Sequence, residues 1–372
     1  MLRAVLVLAC VGCASVPPRD ADVRSADPIT IDTEQVYGAG FTLKFSPTGV
    51  RLPISLVHGE TEVFASASCP SPSLVGASIE PFETAVGGHA PPGLDAAQNF
   101  QVVTMQGPAV VQIDVVYEVP YSCNGPQSLA GTSTFTVFPS GRIVRTDLVK
   151  ASTGQPITDA VMCSKTCDGM QREASLAVFW AFAAGGERFD PTDASIRIGD
   201  TVPAQFSCAQ YPTHTVAIGW GADARTSQSA GGPITYAHDF FALSPTVTQE
   251  PLFTTSTVVV APDRVGCAEM QETVQLPVQL AIGDSPLFID GFGIYRDDET
   301  SHEGRSEIEA LAGEAIHDGF AVALDLGSPN HLSITRRSGD PIEYLVQPDG
   351  GRTIIWIEHG LAEGDAVIVE AL

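Results

Sequence analysis

The sequence predicts an all-β fold of antiparallel sandwich layers, with at most one or two short helices. Three observations lead there. Short segments rich in Val, Ile, Thr and Phe recur along the chain, Gly and Pro punctuate them, and two stretches read as hairpins with explicit turns. Of 372 residues 44% are hydrophobic, and 35 Gly with 27 Pro suit a globular body of many strands and turns.

The opening MLRAVLVLACVGCASVPP stands apart from that body. Its apolar run from Ala4 to Gly12 is nine residues, whereas a membrane-crossing helix needs ~20, so no span is read here. One arginine, a short apolar run and then small residues make an export signal. The stretch resembles the bacterial lipoprotein precursor signal, in which a cysteine after a small residue is lipidated and becomes the first residue of the mature chain. Val11 and Gly12 precede Cys13 with an adequate apolar run behind them. Val7, Leu8 and Ala9 precede Cys10 but leave six apolar residues after Arg3. The reading favours Cys13, with Cys10 as the alternative, and makes 1–12 a signal peptide. The resemblance implies a membrane partner reached through the lipid. Ala14, in place of Asp, implies the outer membrane or cell surface, and a periplasmic or secreted protein is the alternative. Residues 13–28 carry Pro, Asp, Arg, Ser and Ala with little that is large and apolar, the composition of a flexible tether.

The formal charge is −25, and three lysines (Lys44, Lys150, Lys165) stand against sixteen arginines. Such a chain repels phosphate backbones and anionic lipid surfaces, so nucleic acid is excluded as a partner. The excess acid reads as solubility and mutual repulsion. Beyond the leader, six cysteines remain: Cys69, Cys123, Cys163, Cys167, Cys208 and Cys267. An even number in an exported chain reads as three disulfides. Sequence order suggests Cys69–Cys123, Cys163–Cys167 and Cys208–Cys267, each pair staying inside one apparent unit. CSKTC has three residues between its cysteines and no further ligand pair at metal spacing, which favours a small oxidised ring over a zinc knuckle.

Ile29 to Ser68 is a series of short β segments. Val110 to Val119 is a cleaner one. In Thr132 to Val149, Phe135 and Val137 alternate with Thr134 and Thr136, Pro139-Ser140-Gly141 supplies the turn, and Ile143 begins the return strand. Ala174 to Ala184 is apolar on every face, and its Val-Phe-Trp-Ala-Phe core before Gly185-Gly186 predicts a strand. Ser306 to Ile316 places Ile308, Leu311 and Ala312 at helical spacing after Ser306 as a cap, which predicts one short helix. Tyr344 to Gly360 repeats the hairpin design, turning at Pro348–Gly351. FAVALDL and AVIVEAL alternate again. The organisation read from these signals is a β-sandwich domain over 29–169, a middle β region over 170–284 and a C-terminal β region over 285–372. Two sheets of one large sandwich would fit as well.

The stretch from Val110 to Ser152, with its Gly141-Arg142 corner, resembles the β-supersandwich (galactose mutarotase-like) domains of secreted carbohydrate-active proteins. The resemblance covers roughly forty residues. It implies a large antiparallel sandwich that handles glycans, and no catalytic residue of that group can be carried over.

No G-x-S-x-G, HExxH, Walker or EF-hand pattern occurs, and GFGIYR lacks the third glycine of a dinucleotide fingerprint. Two constellations remain. In TYAHDFF a strand would set Tyr236 and His238 on one face, a pair able to remove and return a proton beside a uronate carboxylate. In YRDDETSHEGRSE, Asp297, Asp298, Glu299 and Glu303 could hold Ca²⁺ at a loop, against the plainer reading of a solvated acidic loop. Trp180 and Trp356 sit in apolar runs and read as core. Trp220, between two glycines, is the candidate ring for stacking on a sugar.

The function expected is glycan binding at the cell surface without catalysis and with no cofactor beyond a candidate Ca²⁺. A polysaccharide lyase using Tyr236 and His238 is the enzymatic alternative, and a structural envelope lipoprotein is a second. Oligomeric state is not readable. The leader reading predicts diacylglycerol on a mature chain that starts at Cys13. Intact-mass spectrometry of the exported protein checks it, and a lipid-free terminus or one at Cys10 would correct it.

Overall fold

The computed structural model describes residues 28–32, 34–38, 40–45, 53–65, 77–81, 100–121, 127–152, 160–165, 178–183, 188–189, 204–210, 215–220, 234–237, 240–243, 252–261, 278–313, 316, 319–326 and 331–372. Every regular element among them is a strand, so none of them forms a helix long and apolar enough to cross a membrane.

The first part of the chain holds β1 (Thr30–Ile31), β2 (Gln35–Gly38), β3 (Phe41–Phe45), β4 (Pro53–His58), β5 (Thr61–Ala65), β6 (Ala77–Pro81), β7 (Phe100–Gln106), β8 (Val111–Tyr121), β9 (Gln127–Val137), β10 (Ile143–Ala151) and β11 (Ala160–Lys165). There follow β12 (Val178–Ala183), β13 (Arg188–Phe189), β14 (Ala204–Gln210), β15 (Thr215–Trp220), β16 (Ile234–Ala237), β17 (Phe240–Leu243) and β18 (Leu252–Ala261). The C-terminal part contributes β19 (Leu280–Ile282), β20 (Ser285–Ile289), β21 (Ile294–Ser301), β22 (Arg305–Ala310), β23 (Phe320–Asp325), β24 (Leu332–Arg336), β25 (Tyr344–Asp349), β26 (Arg352–Ile357) and β27 (Ala366–Ala371).

They form four sheets. β1 to β5 pair in sequence order. A nine-stranded sheet runs β13-β12-β14-β15-β18-β10-β9-β8-β7, a four-stranded one β16-β17-β11-β6, and a second nine-stranded one β24-β27-β22-β19-β20-β21-β23-β26-β25. Both hairpins read from sequence are present. β9 and β10 pair around Pro139–Gly141, where Gly141 takes φ +83° and donates to Phe138 O. β25 and β26 turn through Gly350 and Gly351, both at positive φ, which matches the twist of the strands they join.

Over residues 111–115, 133–137 and 143–146, β8, β9 and β10 are buried on both faces, Asp114 being half-buried. Val111, Ile113, Ser133, Phe135, Val137, Ile143 and Arg145 lie on one face, by strand alternation and cross-strand register. This face meets the β1–β5 sheet, where Phe45 packs edge-on against Phe135 at 5.5 Å between ring centroids. Arg145, only 2% exposed, lies over the Phe135 ring at 5.2 Å and donates to Ser133 Oγ at 3.0 Å. Cation–π attraction and a charge-assisted hydrogen bond stand in for lost water.

The other face carries Gln112, Asp114, Thr134, Thr136, Val144 and Thr146, and its apolar end joins the C-terminal sheet. There Ala109, Val110, Phe138 and Val144 cluster with Ile294, Ala321, Ala323, Leu345, Ile354 and Trp356. Trp356 stacks on Phe138 at 5.4 Å. Alternate residues of the same strands, among them Tyr295, Phe320, Val322, Ile355 and Ile357, join Leu280, Leu287, Ile308, Ile334, Val367 and Val369 in a second core. The C-terminal sheet thus curls round its own core and presents its back to the sheet of β8, β9 and β10.

Two sequence expectations change here. Ser306 to Ala310 forms strand β22 where a short helix was expected. Ser306, Ile308 and Ala310 are buried while Glu307 and Glu309 point outward, and β19 and β27 pair with both its edges. The alternation of period two won over the helical spacing because it supplies both a buried face and two ladders. The second change is one parallel pair among the described residues, β21 with β23. β22 pairs away from β21, so the chain returns to lie beside β21 in the same direction.

A buried polar side chain of β25 spans the seam. Gln347 Oε1 accepts from Ala109 N at 3.2 Å and Val110 N at 2.9 Å, all buried, and a Cβ at Gly107 would overlap this glutamine. Gln347→Leu, similar in volume but no acceptor, strands both N–H groups. It should lower stability by roughly 1–3 kcal/mol, read as a lower urea midpoint at unchanged m-value.

Candidate functional site

The turn between β20 and β21 is organised by Asp290. Its Oδ1 accepts from Phe292 N at 2.8 Å and Ile294 N at 3.0 Å, an Asx-type turn in which the side chain takes a carbonyl's place. Gly293 at φ +77° completes it, with Val144 Cγ2 only 2.9 Å from where a Cβ would stand. Thr146 Oγ1 donates to Gly291 O from β10. The turn is therefore fixed from both sides of the seam.

Asp290 Oδ2 accepts from Arg296 Nε at 2.5 Å, and Arg296 Nη1 reaches Asp349 Oδ2 at 3.4 Å. All three side chains are partly buried. Burial alone would lower the Arg296 pKa, but the hydrogen bond and charge of Asp290, with Asp349 behind it, outweigh burial and raise it. Arg296 Nη2 and Asp349 Oδ1 have no partner among the described residues.

Phe288 stands directly opposite Arg296 in the β20–β21 ladder. Leu287 and Ile289 face the inner core, so Phe288 faces outward with Arg296, and it is 57% exposed. Directly paired residues have Cβ atoms about 5 Å apart. The result is an exposed aromatic ring beside a rigid guanidinium with a spare donor and a carboxylate with a spare acceptor.

A second polar cluster lies on the inner face of β21. Asp297, 4% exposed, pairs through Oδ2 with His302 Nε2, and His302 N donates to Asp325 O at 2.7 Å. Ser306, also buried, has an Oγ with no hydrogen-bond partner.

The sequence-predicted site residues fall apart among the sheets. Asp297, Asp298 and Glu299 lie in β21 of the C-terminal sheet, a strand where an acidic loop was expected; β23 pairs with β21 on either side of them, at Ile294–Arg296 and at Ser301, and Asp297 is buried. Glu303 is exposed in the link to β22. The side chains of Asp298 and Glu299 lie outside the described residues. Among the described residues no group of three or more His, Cys, Asp or Glu is placed to hold a metal ion. Tyr236 is in β16 of the four-stranded sheet, opposite Phe241, and His238 lies outside the described residues. Trp220 ends β15 opposite Ser256, itself opposite Arg145. Cys163 is in β11 and Cys208 in β14. Cys10, Cys13, Cys69, Cys123, Cys167 and Cys267 lie outside the described residues.

The sequence reading passed over Phe288, Asp290, Arg296 and Asp349. The signal was present: both aspartates precede a glycine at a hairpin turn, Asp290-Gly291 and Asp349-Gly350, a dipeptide that marks turns. What it could not show was that Arg296 joins the two.

No protein-family model matches the chain, and no curated protein matches it. Among solved structures, galactose 1-epimerase from Lactobacillus acidophilus NCFM is similar over 62% of this chain and 94% of its own, at 7% identity and a TM-score of 0.38. A Salmonella typhimurium protein assigned as a mutarotase is similar over 63% of this chain and 93% of its own, at 11% identity and a TM-score of 0.34. These neighbours are galactose mutarotase-like. With TM-scores under 0.5, the architecture rests on the sheets described above.

The two roles of Asp290 separate by mutation. Asp290→Ala removes the turn acceptor and the Arg296 contact together and should cost about 1–3 kcal/mol. Asp290→Asn keeps Oδ1 for the turn and should cost about half as much. Urea unfolding of the two variants checks the order.

Proposed function

We propose that this chain is a lipid-anchored, extracytoplasmic all-β protein that binds glycan at the cell surface without catalysis. The observation that carries the reading is the exposed Phe288 ring in register beside Arg296, which Asp290 and Asp349 hold. A pyranose offers an apolar C–H face and a rim of hydroxyls. An aromatic ring can cover the face, while fixed polar groups serve the rim with little loss of side-chain entropy. Arg296 Nη2 can donate to one hydroxyl and Asp349 Oδ1 accept from its neighbour.

The leader supports the location. Cys13 as the lipidated residue leaves 13–28, sixteen residues, between the lipid and the first strand. The acidic charge of the chain keeps it off an anionic bilayer.

Affinity electrophoresis of the mature protein through gels containing soluble polysaccharides tests the reading. Phe288→Ala should weaken retention about tenfold, equivalent to ~1.4 kcal/mol. Its urea midpoint should hardly change, since the ring is largely exposed. Retention that survives the substitution would move the site elsewhere.

A further inference from the structure

The patch that carries the glycan-binding reading also sets a class of ligand, and that class stands only if the glycan-binding reading does. An arginine recognises a carboxylate or sulfate best through two parallel N–H bonds, using either the Nε/Nη2 edge or the Nη1/Nη2 edge of the guanidinium. At Arg296 the Nε/Nη2 edge is half occupied, and Nη1 gives up one of its two hydrogens. Asp290 takes Nε at 2.5 Å and Asp349 takes Nη1 at 3.4 Å. Of the five N–H donors three remain, one on Nη1 and two on Nη2; the Nε/Nη2 fork is closed to an anion by Asp290, and an anion at the Nη1/Nη2 edge would lie against Asp349.

Charge points the same way. One guanidinium against two carboxylates leaves the trio with one net negative charge. Arg352, across the turn from Asp349, has a partner of its own. Elsewhere on the C-terminal sheet, Arg336 is paired with Asp365, Arg337 with Glu307 and Glu309, and Arg305 with Glu370. A uronate or sulfated sugar approaching Phe288 would meet two fixed carboxylates and a chain of net charge −25, which also slows the encounter with anions. We infer that the Phe288–Arg296 patch selects neutral glycans and rejects acidic ones, with Asp290 and Asp349 as the residues that set the preference.

The test uses the full mature chain and two sets of probes: galactomannan, xyloglucan and arabinan as neutral polysaccharides, polygalacturonate and alginate as acidic ones, at low ionic strength. The expected result is retention by at least one neutral polymer and retention by the acidic polymers at least tenfold weaker. Asp349→Asn, which frees Nη1 from a charged partner and removes one carboxylate, should narrow that ratio several-fold. Retention by polygalacturonate or alginate equal to or stronger than by the neutral set overturns the inference while leaving the glycan-binding reading standing. An unchanged ratio in Asp349→Asn overturns the assigned cause. Retention by none of the five overturns the glycan-binding reading, and this inference with it.

Discussion

The structure turns on a sheet that must bury both of its faces. β8, β9 and β10 have the β1–β5 sheet against one side and the back of the C-terminal sheet against the other. A strand buried on one side can alternate apolar and polar residues, whereas these cannot leave any polar group without a partner. The polar residues on them are accordingly matched in place. Arg145 lies on Phe135 and Ser133, Gln112 bonds Thr136, and Thr134 bonds Asp114. Gln347 does the same for the seam, serving the two N–H groups that the chain exposes as it enters β8. Small residues let the backbones close: Gly107 under Gln347, Gly293 over Val144, Gly319 beside Trp356.

The candidate site inherits its rigidity from that seam. The β20–β21 turn is held by Thr146 from β10 and by the Gly293–Val144 approach, so Asp290 has little freedom. Asp290 in turn sets Arg296, and Arg296 reaches across the sheet to Asp349 at the far hairpin. Ala323 is the residue beside Arg296 on β23, and its small side chain leaves room for that reach. Phe288 needs no contact to be positioned, because the ladder places it opposite Arg296. Packing on the buried side of the turn thus orients polar groups on its open side.

Local chemistry was legible wherever one residue type dictates it. The Pro139-Ser140-Gly141 and Pro348–Gly351 turns were readable because glycine at positive φ and proline at a fixed φ leave few alternatives. The apolar run at Val178–Ala183 was readable as a strand for a similar reason, its β-branched and aromatic content. Ser306–Ala310 was misread because its apolar residues satisfy both a helical and a period-two pattern. The decision came from β19 and β27, which offer pairing at both edges, and neither is near it in sequence.

The sequence by itself determined an all-β chain, its two hairpins and a strongly acidic balance, since these follow from backbone preference and composition. It also carried the leader pattern that underlies the proposed anchor. Only the tertiary structure decided the parallel pairing of β21 with β23, the burial of one end of β8 to β10 on both faces, and the meeting of Phe288, Asp290, Arg296 and Asp349. Those depend on which strands lie side by side, and strand neighbours are chosen by packing between segments far apart in the chain. Asp290 and Asp349 each read as a turn residue alone, and a shared arginine made them one site.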